Sequence, residues 1–184
     1  LGVADTYSFF VNTADMDLDG DVDVLVASRV SSTAAWLENN GNGTGWTRRT
    51  AATPAANPAA AIAADVDGDG DPDVVTASVN DNKFAWNENR TIHRNATFPA
   101  KSAIGTNGAD ARGLFAADFD NDGDVDVVSA SVNAESVQWY ENGGGPAPTW
   151  TTRNVTSSAD GGSVWAADMD ADGNVDILSA AEAD

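Results

Sequence analysis

Asp15-Met-Asp-Leu-Asp-Gly-Asp-Val-Asp23 packs five carboxylates into nine residues, and the chain carries this pattern three more times. The other copies read Asp65-Val-Asp-Gly-Asp-Gly-Asp-Pro-Asp73, Asp118-Phe-Asp-Asn-Asp-Gly-Asp-Val-Asp126 and Asp168-Met-Asp-Ala-Asp-Gly-Asn-Val-Asp176. Carboxylates at this density repel one another unless a cation sits among them. The donors are hard oxygens, which select Ca2+ or Mg2+; a flexible, carboxylate-rich loop suits Ca2+, with about 6–8 oxygen ligands, better than strictly octahedral Mg2+. The candidate metal ligands are Asp15, Asp17, Asp19, Asp21 and Asp23 in the first loop and Asp65, Asp67, Asp69, Asp71 and Asp73 in the second. Asp118, Asp120, Asp122, Asp124 and Asp126 form the third set, and Asp168, Asp170, Asp172, Asn174 and Asp176 the fourth. Positions 1, 3 and 5 face one side of such a loop, and the glycine at position 6 allows a sharp turn. Position 7 donates its backbone carbonyl, which fits Asn174 standing there in place of Asp. One Ca2+ per loop is expected.

An EF-hand needs a bidentate Glu at position 12 and a helix on either side. Position 12 is Val26, Thr76, Ser129 or Ser179. Each loop instead runs into a short apolar stretch: Val24-Leu-Val-Ala27, Val74-Val-Thr-Ala77, Val127-Val-Ser-Ala130 or Ile177-Leu-Ser-Ala180. Such runs read as buried strands. Dockerin-like modules need helices after the loop and are disfavoured for the same reason. Calcium-wrapped repeats of the thrombospondin type carry cysteines and closely spaced loops, and this chain has neither.

The loops also account for the charge. The chain has 184 residues, 29 acidic and 9 basic, giving a formal net charge of −20. Nineteen of the acids lie in the four loops, so the rest of the chain is nearly neutral. Nucleic acid is excluded as a partner, because phosphate recognition needs clustered Lys and Arg. Membrane insertion is excluded as well, since no run approaches the about 18 apolar residues of a span. With no Cys, disulfide scaffolds, cysteine zinc sites and thiol catalysis fall away. The chain starts at Leu1 and not at Met, so it is expected to begin inside a longer precursor.

The first Asp of each loop falls at 15, 65, 118 and 168, a period near 50 residues. A period of this size with several strands per unit points to a propeller. A Trp follows the first Asp by 21 residues in three units, at Trp36, Trp86 and Trp139. Glu38-Asn39, Glu88-Asn89 and Glu141-Asn142 follow, then a second aromatic at Trp46, Phe98 or Trp150. Each unit reads as four strands. The first ends in a small residue (Ala14, Ala64, Ala117 or Ala167), as a crowded inner strand requires. The second is the apolar run, the third carries Trp-x-Glu-Asn, and the fourth begins near the second aromatic. The tryptophans read as packing between blades in preference to ligand stacking. The Asp-x-Asp-x-Asp-Gly-x-x-Asp loop entering a strand, followed by Trp-x-Glu-Asn, resembles the FG-GAP/VCBS repeats of integrin-α-like β-propellers. The resemblance implies calcium ligands at positions 1, 3, 5 and 9 of each loop together with the position-7 carbonyl. The expected fold is all-β, in blades of four antiparallel strands.

Repeat units are expected at about 4–53, 54–106, 107–156 and 157–184, the last cut short after its second strand. About three and a half blades leave a ring open, whereas closed propellers have about 4–8. The remaining blades are therefore expected from the parent chain or from another copy, and doubling three and a half suggests a seven-bladed ring. The leading function is an extracellular calcium-binding scaffold for adhesion or protein interaction, with the metal structural in each loop. A lectin-type propeller with a glycan ligand is the alternative. The least favoured reading is the non-catalytic part of a polysaccharide-degrading enzyme; no catalytic residue is assigned, and the one histidine, His93, falls in a variable hairpin. Four sequons, at Asn42, Asn89, Asn95 and Asn154, are candidate N-glycan sites if the chain is secreted by a eukaryote.

Overall fold

A computed structural model describes residues 8–52, 56–90, 102–106, 109–156 and 161–181. Among these residues there is no helix, and none is long and apolar enough to cross a membrane. The first sheet comprises β1 (Ser8–Ala14), β2 (Asp23–Ser28), β3 (Thr33–Asn39) and β4 (Trp46–Ala52). The second comprises β5 (Pro58–Ala64), β6 (Asp73–Ser78), β7 (Lys83–Asn87) and β8 (Ser102–Gly105). The third comprises β9 (Ala111–Ala117), β10 (Asp126–Ser131), β11 (Ser136–Asn142) and β12 (Trp150–Thr156). The last, of two strands, pairs β13 (Gly161–Ala167) with β14 (Asp176–Ala181). Every sheet is an antiparallel meander in sequence order, and none closes on itself. The described residues form a partial β-propeller of three four-stranded blades and a two-stranded half of a fourth.

Register repeats from blade to blade. Leu25 faces Trp36, Val75 faces Trp86, and Val128 faces Trp139. In the three four-stranded blades the apolar second strands become the most buried, as expected of a strand covered on both faces, whereas β14, with no third strand beside it, is half-buried to exposed. All six residues of β6 and of β10 are buried. Four-residue turns join strands two and three, and each ends on a left-handed residue: Ser32 (φ 52°), Asn82 (φ 54°) and Glu135 (φ 47°).

The core lies between blades. Trp36, Met16 and Leu25 of the first blade pack with Ala61 and Val74 of the second. Trp86, Phe84 and Ile62 of the second meet Leu114, Val127 and Tyr140 of the third. Val128 and Val137 of the third meet Val164 of the fourth. Trp36 and Trp86 are thus inter-blade packing residues. The first strands gather around a cavity of about 400 Å³, lined by residues of β1, β5, β9 and β13 together with Arg29 of the turn after β2.

Gly113 on β9 marks the tightest approach. A Cβ there would sit 2.9 Å from the Val164 backbone nitrogen and 3.0 Å from the Ser163 Cα. Backbone cannot yield as a flexible side chain can, so Gly113→Ala must push β13 away from β9. The expected loss is roughly 1–3 kcal/mol, the usual cost of overpacking, read as a lower midpoint in chemical denaturation.

Candidate metal centres

The four Asp-rich loops join strand one to strand two, and their internal bonding is nearly identical. The position-6 glycine amide donates to the first Asp in every copy: Gly20 to Asp15, Gly70 to Asp65, Gly123 to Asp118 and Gly173 to Asp168, at 2.9–3.0 Å. The position-7 amide donates to the position-5 carboxylate at 2.8–3.0 Å. These bonds curl the loop and turn the other carboxylate oxygens inward. Position 6 takes the positive φ expected of its glycine, 93–98°.

One oxygen from each of three Asp residues converges to within 4.8 Å in every loop. The triads are Asp15, Asp17, Asp19; Asp65, Asp67, Asp73; Asp118, Asp120, Asp122; and Asp168, Asp170, Asp176. Oxygens on opposite sides of one Ca2+ lie about 4.6–5.2 Å apart, so this spacing accommodates a divalent cation. Position-7 side chains stay outside the triads. Asp21 and Asp124 instead lie against Gly41 and Gly144 of the hairpins before β4 and β12. Asn174 accepts a 3.0 Å hydrogen bond from Asn121 of the preceding loop.

Asp17 shows most directly that the donor set fits a cation. It is 3 % exposed, yet neither carboxylate oxygen has a hydrogen-bond partner. A buried, unpaired carboxylate is costly. Burial, followed by the charges of Asp19, Asp23 and Glu38, pushes its pKa up to about 6. Burial likewise raises Asp73 to about 7, against the lowering effect of the Asn89 and Val66 amides and the Trp86 indole. Asp23, Asp67 and Asp126 shift in the same direction, again chiefly through burial.

Position 9 belongs to the triad in the second and fourth loops, and in all four it is tied to backbone amides. One of its oxygens accepts from the position-2 amide, as Met16 to Asp23, Val66 to Asp73, Phe119 to Asp126 and Met169 to Asp176, at 2.9–3.1 Å. The other accepts from the backbone amide of the Glu-Asn asparagine, with Asn39, Asn89 and Asn142 each at 2.7 Å. The indoles of Trp36, Trp86 and Trp139 also lower the pKa of this carboxylate, although their Nε1 atoms fall short of hydrogen-bonding geometry. The recurrent Trp-x-Glu-Asn element therefore holds the far end of its own loop, a role visible in the sequence only as a fixed spacing. The glutamates pair with arginines: Glu38 with Arg49 at 2.6 Å, Glu88 with Arg90 at 2.7 Å, and Glu141 with Arg153. Arg49 and Arg153 also lie over the Trp36 and Trp139 rings.

The four sequons separate. Asn42 is exposed in the hairpin before β4, where its Oδ1 accepts from Thr44 and Gly45. Asn154 is exposed on β12. Asn89 is 1 % exposed, and its Nδ2 donates to the Met16 and Pro72 carbonyls at 3.2 and 3.1 Å. Both amide protons are spent, so the folded blade has no room for a glycan there. Asn95 lies outside the described residues, as do His93 and Phe98.

The FG-GAP-like repeat matches residues 15–76, 65–129 and 118–179. Each match runs from one Asp loop into the next. Among solved structures, the chain is similar to an Agrocybe aegerita lectin described as specifically recognising non-reducing terminal N-acetylglucosamine. The two share 18% identity and a TM-score of 0.62 over 92% of this chain and 46% of the lectin. The V. cholerae biofilm matrix protein Bap1 is a second, at 19% identity and a TM-score of 0.48, over 92% of this chain and 27% of that protein. The chain thus spans less than half the length of either structure, and the likeness is one of fold. No curated protein matches it.

Two outcomes follow from the loop geometry. Position 4 is left-handed in all four loops, at Leu18 (φ 55°), Gly68 (φ 74°), Asn121 (φ 61°) and Ala171 (φ 63°). Leu18 bears this conformation with an exposed side chain, so Leu18→Gly should stabilise the protein by about 1 kcal/mol in a denaturant melt. The second concerns pH. Asp17 and Asp73 have folded-state pKa values raised above 3.8. Their contribution to stability is fully present below the unfolded value and is lost as pH rises through about 6 to 7. In chelator, the melting temperature should therefore rise as pH is lowered from 8 towards 5.

Proposed function

The chain belongs to the FG-GAP-like repeat family, and on that premise we propose that it is an extracellular β-propeller scaffold for adhesion or protein interaction, with one structural Ca2+ in each Asp loop. The observation that carries the metal assignment is the buried Asp17 carboxylate, unpaired within a converging oxygen triad. Calcium is the cation of choice because the donor set is all oxygen, rich in carboxylates and held in a flexible loop. Asp15, Asp17, Asp19 and Asp23 would hold the ion in the first loop, with their equivalents in the other three. The bound ion supplies charge neutralisation and cross-linking of the loop; the chain's own residues orient the carboxylates through the position-6 and position-7 amides.

Extracellular modules work with weak sites, with Kd of about 10⁻⁴–10⁻³ M. Such sites stay filled where calcium is millimolar, which supports placement outside the cell. The role is non-catalytic: the clustered carboxylates are committed to loop hydrogen bonds and metal binding. A glycan ligand is the second reading, favoured by the fold shared with the Agrocybe aegerita lectin. The sugar contacts would have to come from groups other than Trp36 and Trp86, which are buried between blades. An array of glycans ending in N-acetylglucosamine, probed in calcium buffer, separates this reading from a purely protein-binding scaffold.

Calcium should raise the melting temperature and EDTA lower it, each site contributing about 1.4 kcal/mol per tenfold excess of calcium over Kd. Asp17→Asn should reduce the calorimetric stoichiometry from about four ions to about three, given one ion per loop. An unchanged melt across the calcium titration would sink the assignment. In excess calcium the pH trend reverses, because protons compete with the ion at Asp17 and Asp73. Calcium's stabilisation should shrink as pH falls through about 7 to 6.

A further inference from the structure

We propose that Asn89 and Asn142 couple the metal loops of adjacent blades, so that filling one loop preorganises the loop of the blade before it. The proposal rests on reading the loops as calcium sites. Asn89 Nδ2 donates to the Met16 carbonyl of the first loop at 3.2 Å, across the interface between the first two blades. Asn142 Nδ2 donates to the Val66 carbonyl of the second loop at 2.8 Å, across the next interface. Each asparagine also anchors its own loop. Asn89 donates its backbone N–H to Asp73 and a side-chain proton to the Pro72 carbonyl; Asn142 does the same with Asp126 and the Val125 carbonyl.

The contacted residue is well placed to pass the constraint on. Met16 sits between Asp15 and Asp17, both members of the first triad, and its own amide donates to Asp23. Three hydrogen bonds therefore connect Asp73 of the second triad to position 9 of the first loop: Asn89 N to Asp73, Asn89 Nδ2 to Met16 O, and Met16 N to Asp23. Met16, Asp23, Asp73 and Asn89 are all at most 1 % exposed. Bonds at this depth are shielded from water and hold their geometry. An ion that draws Asp73 inward fixes the Asn89 backbone, and the amide then holds the Met16 peptide between two first-loop ligands. Coupling of this kind is reciprocal. Apolar packing of Met16 against Trp36 and Val74 does not depend on the asparagine amide, so the two contributions separate.

The test silences the first loop with Asp15→Asn and Asp17→Asn in the full chain and follows hydrogen exchange of residues 15–23 on adding calcium chloride. Filling of the second loop should slow exchange in the silenced loop by about fivefold, the lower end of usual coupling strengths. Adding Asn89→Ala should abolish that slowing while calcium protection of residues 118–126 persists. The proposal is overturned if the second and third loops gain protection but the silenced loop does not, or if its slowing survives Asn89→Ala. If no loop responds to calcium, the calcium reading itself falls and takes the coupling with it. Should Asn89→Ala fail to fold, Asn142→Ala with Asp65→Asn and Asp67→Asn repeats the test on residues 65–73.

Discussion

Mutual repulsion among the loop carboxylates is the constraint around which the rest of the molecule is arranged. Four stretches of nine residues hold nineteen of the 29 acids, and no packing of apolar strands removes that cost. The chain meets it in part by aiming its own amides at the carboxylates. This leaves the buried Asp17 carboxylate, inside its triad, without a donor. A divalent cation in the triad would supply what the amides cannot. Because the loop joins strand one to strand two, and position 9 accepts from the end of strand three in the three complete blades, neutralising a loop there would fix three strands at once.

The net charge of −20 is therefore a poor guide to what the protein touches. Outside the loops the charges nearly balance. Several bases are drawn to the glutamates beside the loops, as in Glu38–Arg49, Glu88–Arg90 and Glu141–Arg153. Two of these arginines also cover a tryptophan face. Exposed pairs of this sort contribute little to stability by themselves. Beside the first three Asp loops they offset the neighbouring glutamate charge.

The loops, the apolar strands behind them and the phase of the tryptophans were legible in the sequence because each depends on local pattern. Five Asp residues alternating through nine positions have few explanations, and a glycine at position 6 marks a turn whatever surrounds it. The asparagine after the Trp-x-Glu step could be seen to recur, but its purpose could not be read, since its partner lies in the preceding blade. Asn89 is separated from Met16 by 73 positions, and no periodicity reveals a bond of that span. For the same reason Asn89 looked like a glycosylation signal: a sequon is three residues of text, and burial is a property of the assembled interface. The left-handed position 4 was hidden too, because Leu18 and Ala171 occupy it where glycine or asparagine would have announced it.

Blades that share both an apolar interface and a hydrogen-bonded asparagine are not independent units. In repeat proteins stability is close to a sum of intrinsic and nearest-neighbour terms. Here the neighbour term includes a polar contact that joins the Asp loop of one blade to strand three of the next. Apolar packing such as Trp36 against Ala61 and Val74 tolerates small displacements. The Asn89–Met16 bond does not, because hydrogen bonds weaken steeply with misalignment. An ion bound in one loop would thus be felt at the adjoining interface as a change in order more than in shape. The outer strand β12, by contrast, is exposed along most of its length and takes no part in these inter-loop bonds.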